Sequence, residues 1–306
     1  MGARLLVFQM LLLLAGCGGD EEGPSSGNPI GEGTGEDRMA EGGASNATGF
    51  PVHILDAAGS PLEFLRAPTR ILSLVPSATR TLQALGGQSL LVGRTEYDTS
   101  QSLAHLPSVG GGLDPSLETL VALEPDLIVR FAGESDSSTP IQLDNMGIRH
   151  MAVRLDGMAD VRALIEDLGS VAGSPDRAVE LVAEMDAVLA DIQARVREAP
   201  RVRVAYILGG TPPWVAGPDT FIHELLVIAG GENVFADLEA LYGPVSREEF
   251  LIREIDILLA PEGVEVHIPA TNVPLVRVSP ALELPGPDLA EAARDLAEIL
   301  HPELFR

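Results

Sequence analysis

The sequence predicts an α/β protein of two lobes, each with a mostly parallel sheet, joined by one long backbone helix. From Pro51 onward, short apolar segments of strand character alternate with amphipathic helical segments, as is typical of parallel sheets. The alternation is interrupted once and then restarts near Val202. We therefore predict an N-terminal lobe over residues 50–173, a connecting helix over residues 174–199 and a C-terminal lobe over residues 200–306.

The connecting segment has the features of a single uninterrupted helix. Ser174 can cap it, Pro175 suits its first position, and Pro200 ends it. At 1.5 Å per residue the helix is roughly 35 Å long. Its apolar side chains recur at spacings of three and four and predict one buried stripe: Val179, Val182, Met185, Leu189, Ile192 and Val196.

Within the lobes, turn and cap residues predict where the elements begin and end. Asp114 is expected to cap a helix that starts at Pro115. In the second lobe, a helix is expected from Ser246 to about Glu254, started by a capping box with Glu249. Trp214 is expected in a loop because prolines and a glycine flank it.

Composition excludes several classes of function. The 306-residue chain has a formal charge of −25, and its 20 basic residues are all arginine. An acidic surface disfavours nucleic acid as a partner, and a P-loop cannot form without lysine. The six histidines lack the spacing of a zinc site, and we find no Gly-x-Ser-x-Gly, His-Glu-x-x-His or dinucleotide motif after a strand. We therefore expect a protein that is not an enzyme and holds no metal of its own.

The N-terminus predicts a secreted, lipid-anchored protein. Arg4 precedes an apolar run, and small residues lead to Cys17, the only cysteine in the chain. This stretch resembles a bacterial lipobox, so residues 1–17 are expected to be a lipoprotein signal peptide with lipidation at Cys17. Residues 18–49 are rich in Gly, Glu and Ser and predict a flexible tether. We expect the protein outside the cytoplasm, held at the membrane through this lipid alone.

Four segments carry a resemblance to a known family. The chain reads RILSLVPSAT over residues 70–79, SLETLVALEPDLI over 116–128, GGENVF over 230–235 and VSRE over 245–248. These segments resemble the helical-backbone metal-receptor superfamily, the binding proteins that deliver cobalamin, haem and ferric siderophores to ABC importers. The resemblance implies a ligand cleft between the lobes, an ABC permease with its ATPase as partner, and a monomeric protein.

Within that superfamily the chain is most similar to the cobalamin-binding members. The resemblance implies that Tyr97, Trp214 and Tyr242 contact the ligand and that Glu118 and Glu248 dock onto arginines of the permease. Large flat aromatic faces suit a corrinoid or an aromatic siderophore. The bound metal, cobalt or iron, is expected to arrive inside the chelate rather than as a cofactor of the protein.

Departures from the family pattern leave the ligand open. Gly110–Gly112 occupies a stretch where the cobalamin-binding members have a tryptophan, and Asp288 stands where many relatives have arginine. Since acidic siderophore arms require arginine, its absence favours an uncharged or cationic ligand such as a corrinoid. A ferric siderophore or haem is the alternative chelate. An extracytoplasmic α/β enzyme and a ligand sensor are the alternatives of another class.

Overall fold

The first lobe combines an antiparallel hairpin with a parallel sheet of three strands. The computed structural model describes residues 49–133, 138–268 and 272–306. The hairpin consists of β1 (Val52–Leu55) and β2 (Pro61–Phe64), and the sheet has the order β3 (Ile71–Ser73), β4 (Leu127–Phe131) and β5 (His150–Val153). The helices of this lobe are α1 (Pro76–Ala84), α2 (Leu117–Ala122), α3 (Ser138–Asn145) and α4 (Met158–Val171).

One long helix, α5 (Pro175–Val196), connects the lobes, and its buried stripe differs from the prediction at its start. Met185, Leu189, Ile192 and Val196 are buried as expected. Val179 was wrongly predicted to be buried, since its side chain is 66% exposed. In the first turns of α5 the buried residues are Ala178 and Leu181. Each lies one position before a residue of the predicted stripe.

The second lobe has a mixed sheet of six strands. Its central strands pair with each other in parallel. Two further strands are added at one edge by antiparallel pairing. The strands are β6 (Val202–Gly209), β7 (Trp214–Ala216), β8 (Gly231–Asn233), β9 (Tyr242–Pro244), β10 (Ile257–Pro261) and β11 (Leu275–Val278). The helices are α6 (Phe221–Ile228), α7 (Glu249–Ile252) and α8 (Leu289–Leu300).

The prediction that Asp114 caps a helix is wrong. The helix α2 begins at Leu117, and the Ser116 side chain caps it by accepting from the N–H of Thr119 at 3.3 Å. The N–H of Ser116 donates to the carbonyl of Val109 at 2.7 Å. This bond keeps the chain extended up to Ser116, so the helix cannot start earlier.

The helix expected from Ser246 to Glu254 is shorter than predicted, although its capping box is confirmed. Ser246 N–H donates to Glu249 Oε2 at 2.8 Å, and Glu249 N–H donates to Ser246 Oγ at 3.3 Å. The helix α7 ends at Ile252 because Arg253 has an extended backbone. Its guanidinium hydrogen-bonds both carboxylate oxygens of Asp237, at 2.8 and 3.0 Å.

The fold class is confirmed: two α/β lobes with mostly parallel sheets flank the connecting helix. The limits predicted for the lobes, at residues 50, 174 and 200, stay predictions. The predicted signal peptide and all of the predicted tether except Gly49 lie outside the described residues.

Candidate functional site

The two lobes contact each other where the first lobe leads into α4. The backbone N–H of Phe221, the first residue of α6, donates to the carbonyl of Asp156 at 2.6 Å. Glu224 of the same helix accepts the backbone N–H of Met158 at 2.8 Å. The two donors are the backbone N–H groups of the first residues of α6 and α4. Such N–H groups have no acceptor within their own helix. They tie the connection between β5 and α4 of the first lobe to α6 of the second.

A further contact between the lobes is an ion pair between α1 and the residue preceding α8. The guanidinium of Arg80 donates to the carboxylate of Asp288. The two side chains are 29% and 55% exposed. Asp288 is the acid that stands where many superfamily members have arginine, and here it binds an arginine of the opposite lobe.

Tyr97 lies in the first lobe, in a segment held by a short polar turn. Asp98 Oδ2 accepts from the N–H and the hydroxyl of Thr95, at 2.8 and 2.7 Å. Tyr97 is half-buried, and a Cβ added at Gly111 would lie 3.9 Å from its ring. Burial, followed by the neighbouring Glu96, raises the pKa of Tyr97 to about 12. The phenol is therefore neutral at physiological pH, and its proton is shared in a hydrogen bond with the Glu96 carboxylate.

Trp214 and Tyr242 lie on adjacent strands and on one face of the ribbon that these strands form. The strand β7 begins at Trp214, which pairs with Pro244 of β9, and Tyr242 pairs with Ala216. Paired residues and alternate residues of a strand point to the same side, so Trp214 and Tyr242 are diagonal neighbours. The loop predicted around Trp214 is wrong, because β7 also pairs with β6.

These two aromatic residues differ in burial. Trp214 is half-buried and packs against the larger hydrophobic core, whereas Tyr242 is only 3% exposed. Burial, then the charges of Asp156 and Glu283, raise the pKa of Tyr242, so its phenol stays neutral. Trp214 therefore presents more surface to a ligand than Tyr242 does in this structure.

Sequence reasoning missed a buried acid beside these residues. Glu283, which follows β11, is 8% exposed and accepts from the hydroxyl of Tyr206 at 3.5 Å. Burial raises the pKa of Glu283 to about 8, and the tyrosine hydroxyl opposes this shift only in part. Burial also raises the pKa of Asp156, across the lobe junction. The signal in the sequence was the position of Glu283 between two leucines, within an apolar segment.

Glu118 and Glu248 lie on the surface, one in each lobe. Glu118 is in the first turn of α2, and Glu248 directly precedes α7. Both side chains are exposed. The structure therefore leaves both carboxylates accessible, although neither lies with the aromatic residues.

Among the residues that the structure describes, no group of three or more His, Cys, Asp or Glu side chains is placed to hold a metal ion. In that same part of the chain, none of the helices combines the length and the hydropathy needed to cross a membrane. The candidate site is thus the lobe junction at Asp156, where the phenol of Tyr242 and the carboxyl of Glu283 lie on the second-lobe side, close enough to interact electrostatically.

Comparison with known proteins identifies the family. Residues 71–263 match the family of periplasmic binding proteins. The chain belongs to this family. As a periplasmic binding protein it binds a small-molecule solute outside the cytoplasm and has an ABC permease as its partner.

The relatives of this periplasmic binding protein include a substrate-binding lipoprotein, a cobalamin-binding protein and a haem-binding protein. An ABC transporter substrate-binding lipoprotein of Bacillus subtilis strain 168 is 26% identical over 84% of this chain and 88% of its own length. A cobalamin-binding protein of Halobacterium salinarum is 31% identical over 71% of this chain but only 60% of its own length. A solved haem-binding protein of Pseudomonas aeruginosa is 25% identical, with a TM-score of 0.67 over 77% of this chain and 93% of that chain.

Proposed function

We propose that this protein captures a corrinoid between its lobes and delivers it to an ABC permease. The observation that carries the proposal is the position of Trp214 and Tyr242 on one face of the β7–β9 ribbon. Tyr242 is near enough to Asp156 of the first lobe for that charge to raise its pKa. An indole presents a large apolar face at low entropic cost, which suits a flat macrocycle. Tyr97 would contact the ligand from the first lobe with its aromatic ring. Relatives named for cobalamin and vitamin B12 support this ligand class.

The charge of the junction supports a ligand without acidic arms. Glu283 and Asp156 are partly or fully buried there, and Arg80 is already paired with Asp288. Glu283 is largely protonated at neutral pH and offers an anionic chelate no counter-charge. Bringing a ligand anion towards the poorly hydrated carboxyl of Asp156 is electrostatically unfavourable. A corrinoid with neutral amide arms avoids this repulsion and can donate hydrogen bonds to the carboxyl oxygens.

Haem or a ferric siderophore is the second candidate. The haem-binding protein of Pseudomonas aeruginosa has the same fold, and that likeness favours a flat metal chelate of either kind. Tyrosine holds haem iron in some proteins as the phenolate. The raised pKa of Tyr97 disfavours the phenolate, so it counts against this residue as an iron ligand.

Two further roles belong to the same proposal. Glu118 and Glu248 would dock onto arginines of the permease, because a carboxylate in each lobe gives two separate anchors for bidentate pairing. Cys17 would carry the lipid that keeps the protein at the membrane, which the named lipoprotein relative supports.

Fluorescence of Trp214 tests the ligand class, because Trp214 is the only tryptophan of the chain. Cyanocobalamin is titrated into the protein, with free N-acetyltryptophanamide as the control for light absorption by the ligand. Saturable quenching beyond that control is expected. If cyanocobalamin gives none while haemin or ferrichrome does, the ligand is the alternative chelate.

A further inference from the structure

The starts of two helices from opposite lobes face each other at the lobe junction. The helix α4 begins at Met158 in the first lobe, and α6 begins at Phe221 in the second. Phe221 donates its backbone N–H to the carbonyl of Asp156 at 2.6 Å. Met158 donates its backbone N–H to Glu224 Oε1 at 2.8 Å. Each lobe therefore supplies an acceptor to the helix of the other lobe.

Both helices are also capped within their own lobes. Asp160 Oδ2 accepts from the backbone N–H groups of Asp156 and Gly157, at 2.9 and 3.0 Å. Thr220 Oγ1 accepts from the N–H of His223 at 3.1 Å. These local caps start each helix without help from the opposite lobe. The two bonds across the junction can therefore hold the lobes at one relative position.

Glu224 brings a carboxylate to this junction. The first turn of a helix carries a partial positive charge, so a carboxylate that accepts from it binds more strongly than a neutral acceptor does. The same carboxylate acts on a cation of α4. The hydrogen bond to Asp186 raises the pKa of Arg162, and the charge of Glu224 is a further cause of this shift. Glu224 thus attracts α4 both at its first turn and at Arg162.

The position of Gly157 shows how closely the lobes approach each other here. A Cβ added at Gly157 would lie 2.8 Å from Glu224 Oε1, so the carboxylate would have to move. The backbone of Gly157 is extended, with φ −124° and ψ 177°, and alanine adopts this conformation without strain. Alanine at this position would therefore displace the Glu224 carboxylate from the side of the first lobe while Glu224 itself is kept.

The junction is coupled to the ribbon that is proposed to contact the ligand. Asp156 supplies the carbonyl that accepts from Phe221. After burial, the charge of Asp156 is the next cause that raises the pKa of Tyr242. Tyr242 lies with Trp214 on one face of the β7–β9 ribbon. A change in the angle between the lobes would therefore move Asp156 relative to these aromatic residues.

We propose that Glu224 is a positioning residue, whose bond to Met158 fixes the angle between the lobes and so preorganises the ligand cleft. This inference rests on the proposed function. Without the bond, the lobes move more freely about α5, and the ligand binds only those molecules in which the lobes are correctly placed. The apparent affinity then falls in proportion to that fraction of molecules. This role does not require that Glu224 contact the ligand.

The test compares Glu224→Ala, Glu224→Gln and Gly157→Ala with the parent, each as the full chain. Glu291→Ala is the matched control, since it removes an exposed carboxylate from the first turn of α8 in the same lobe as Glu224. Hydrogen–deuterium exchange of the Met158 and Phe221 amides is measured without ligand, and calorimetry measures the affinity for cyanocobalamin. Thermal unfolding checks that each variant remains folded.

Exchange of the Phe221 amide separates positioning of the lobes from local capping of α4. Its acceptor is a backbone carbonyl, which is present in all the variants. In Gly157→Ala the substitution lies in the first lobe, so faster exchange of Phe221 there cannot come from a lost side chain of α6.

We expect both amides to exchange about tenfold faster in Glu224→Ala and Gly157→Ala, and cyanocobalamin to bind about tenfold more weakly. Glu224→Gln should show smaller changes, because its amide oxygen still accepts a hydrogen bond, and Glu291→Ala should match the parent.

Faster exchange of Met158 alone, with Phe221 exchange and cyanocobalamin affinity as in the parent, would mean that Glu224 only caps α4. That result would overturn this inference and leave the proposed function intact. Faster exchange of both amides with unchanged affinity would overturn it as well. If the parent binds haemin instead of cyanocobalamin, the corrinoid proposal fails, and the same comparison with haemin decides this inference. If the parent binds neither, both the proposed function and this inference fail.

Discussion

The hydroxyl of Tyr206 lies 3.5 Å from Oε1 of Glu283, and both side chains are buried, at 1% and 8% exposure. This places a carboxyl group in the interior of the second lobe with a phenol as its partner. Burial raises the pKa of Glu283 to about 8, because an ionised carboxylate loses most of its hydration there. At neutral pH the group is therefore largely protonated in the folded protein.

Glu283→Gln should stabilise the protein above pH 5. In the folded state Glu283 keeps its proton up to about pH 8, whereas in the unfolded chain it loses the proton near pH 4.3. The contribution of Glu283 to the free energy of unfolding is therefore greatest below pH 4. It decreases as the pH rises from about 4.5 to 8. The glutamine cannot ionise, so the variant should gain up to about 5 kcal/mol at pH 8.5 and nothing at pH 4.

Urea unfolding of the parent and Glu283→Gln at a series of pH values measures this difference. Glu239→Gln, an exposed side chain elsewhere in the second lobe, is the matched control. A difference between parent and Glu283→Gln that is the same at pH 4 and pH 8.5 would contradict the titration of Glu283.

The parallel core of both lobes could be predicted because its signals are local. The strand β4 is an apolar run interrupted only by Arg130, and α5 combines a proline at its start with apolar residues at helical spacing. Such patterns report burial directly. The family resemblance added the order of the elements.

The site was harder to predict because its residues depend on contacts distant in sequence. The strands β7 and β9 have three residues each, and only their pairing places Trp214 beside Tyr242. The burial of Glu283 depends on Tyr206, 77 positions earlier in the chain. Likewise Asp114 has good capping chemistry, yet the bond from Ser116 to Val109 moves the helix start. Local propensity cannot report such pairings.

Gly112→Ala should destabilise the first lobe, whereas Gly111→Ala should be tolerated. A Cβ at Gly112 would lie 2.1 Å from the carbonyl oxygen of Leu74, so the backbone must move. A Cβ at Gly111 would meet the ring of Tyr97 at an ordinary contact distance of 3.9 Å. We expect Gly112→Ala to lower the free energy of unfolding by about 1–3 kcal/mol. Equal thermal stability of the two variants would show that the approach to Leu74 is not as close as described.

The ion pair between Arg80 and Asp288 should contribute little to stability. The side chains are 29% and 55% exposed, and pairs of this exposure typically contribute about 0–1 kcal/mol. A double-mutant cycle with Arg80→Ala and Asp288→Ala, read by urea unfolding in low salt, should give a coupling in that range. The coupling should shrink in about 1 M salt, because ions screen exposed charges. A salt-independent coupling above about 2 kcal/mol would mean that the pair is buried from solvent.

Trp214→Ala should weaken corrinoid binding by about 2–4 kcal/mol, the range expected for loss of an aromatic anchor. Trp214→Phe keeps an apolar ring on the β7–β9 ribbon and should lose less than the alanine variant. Isothermal titration calorimetry with cyanocobalamin is the measurement, since both variants lack the only tryptophan of the chain. Because Trp214 also packs against the core, thermal unfolding separates loss of fold from loss of binding. If Trp214→Ala remains folded and binds cyanocobalamin as tightly as the parent, the ligand lies away from this ribbon, and the contact must be sought nearer Tyr97.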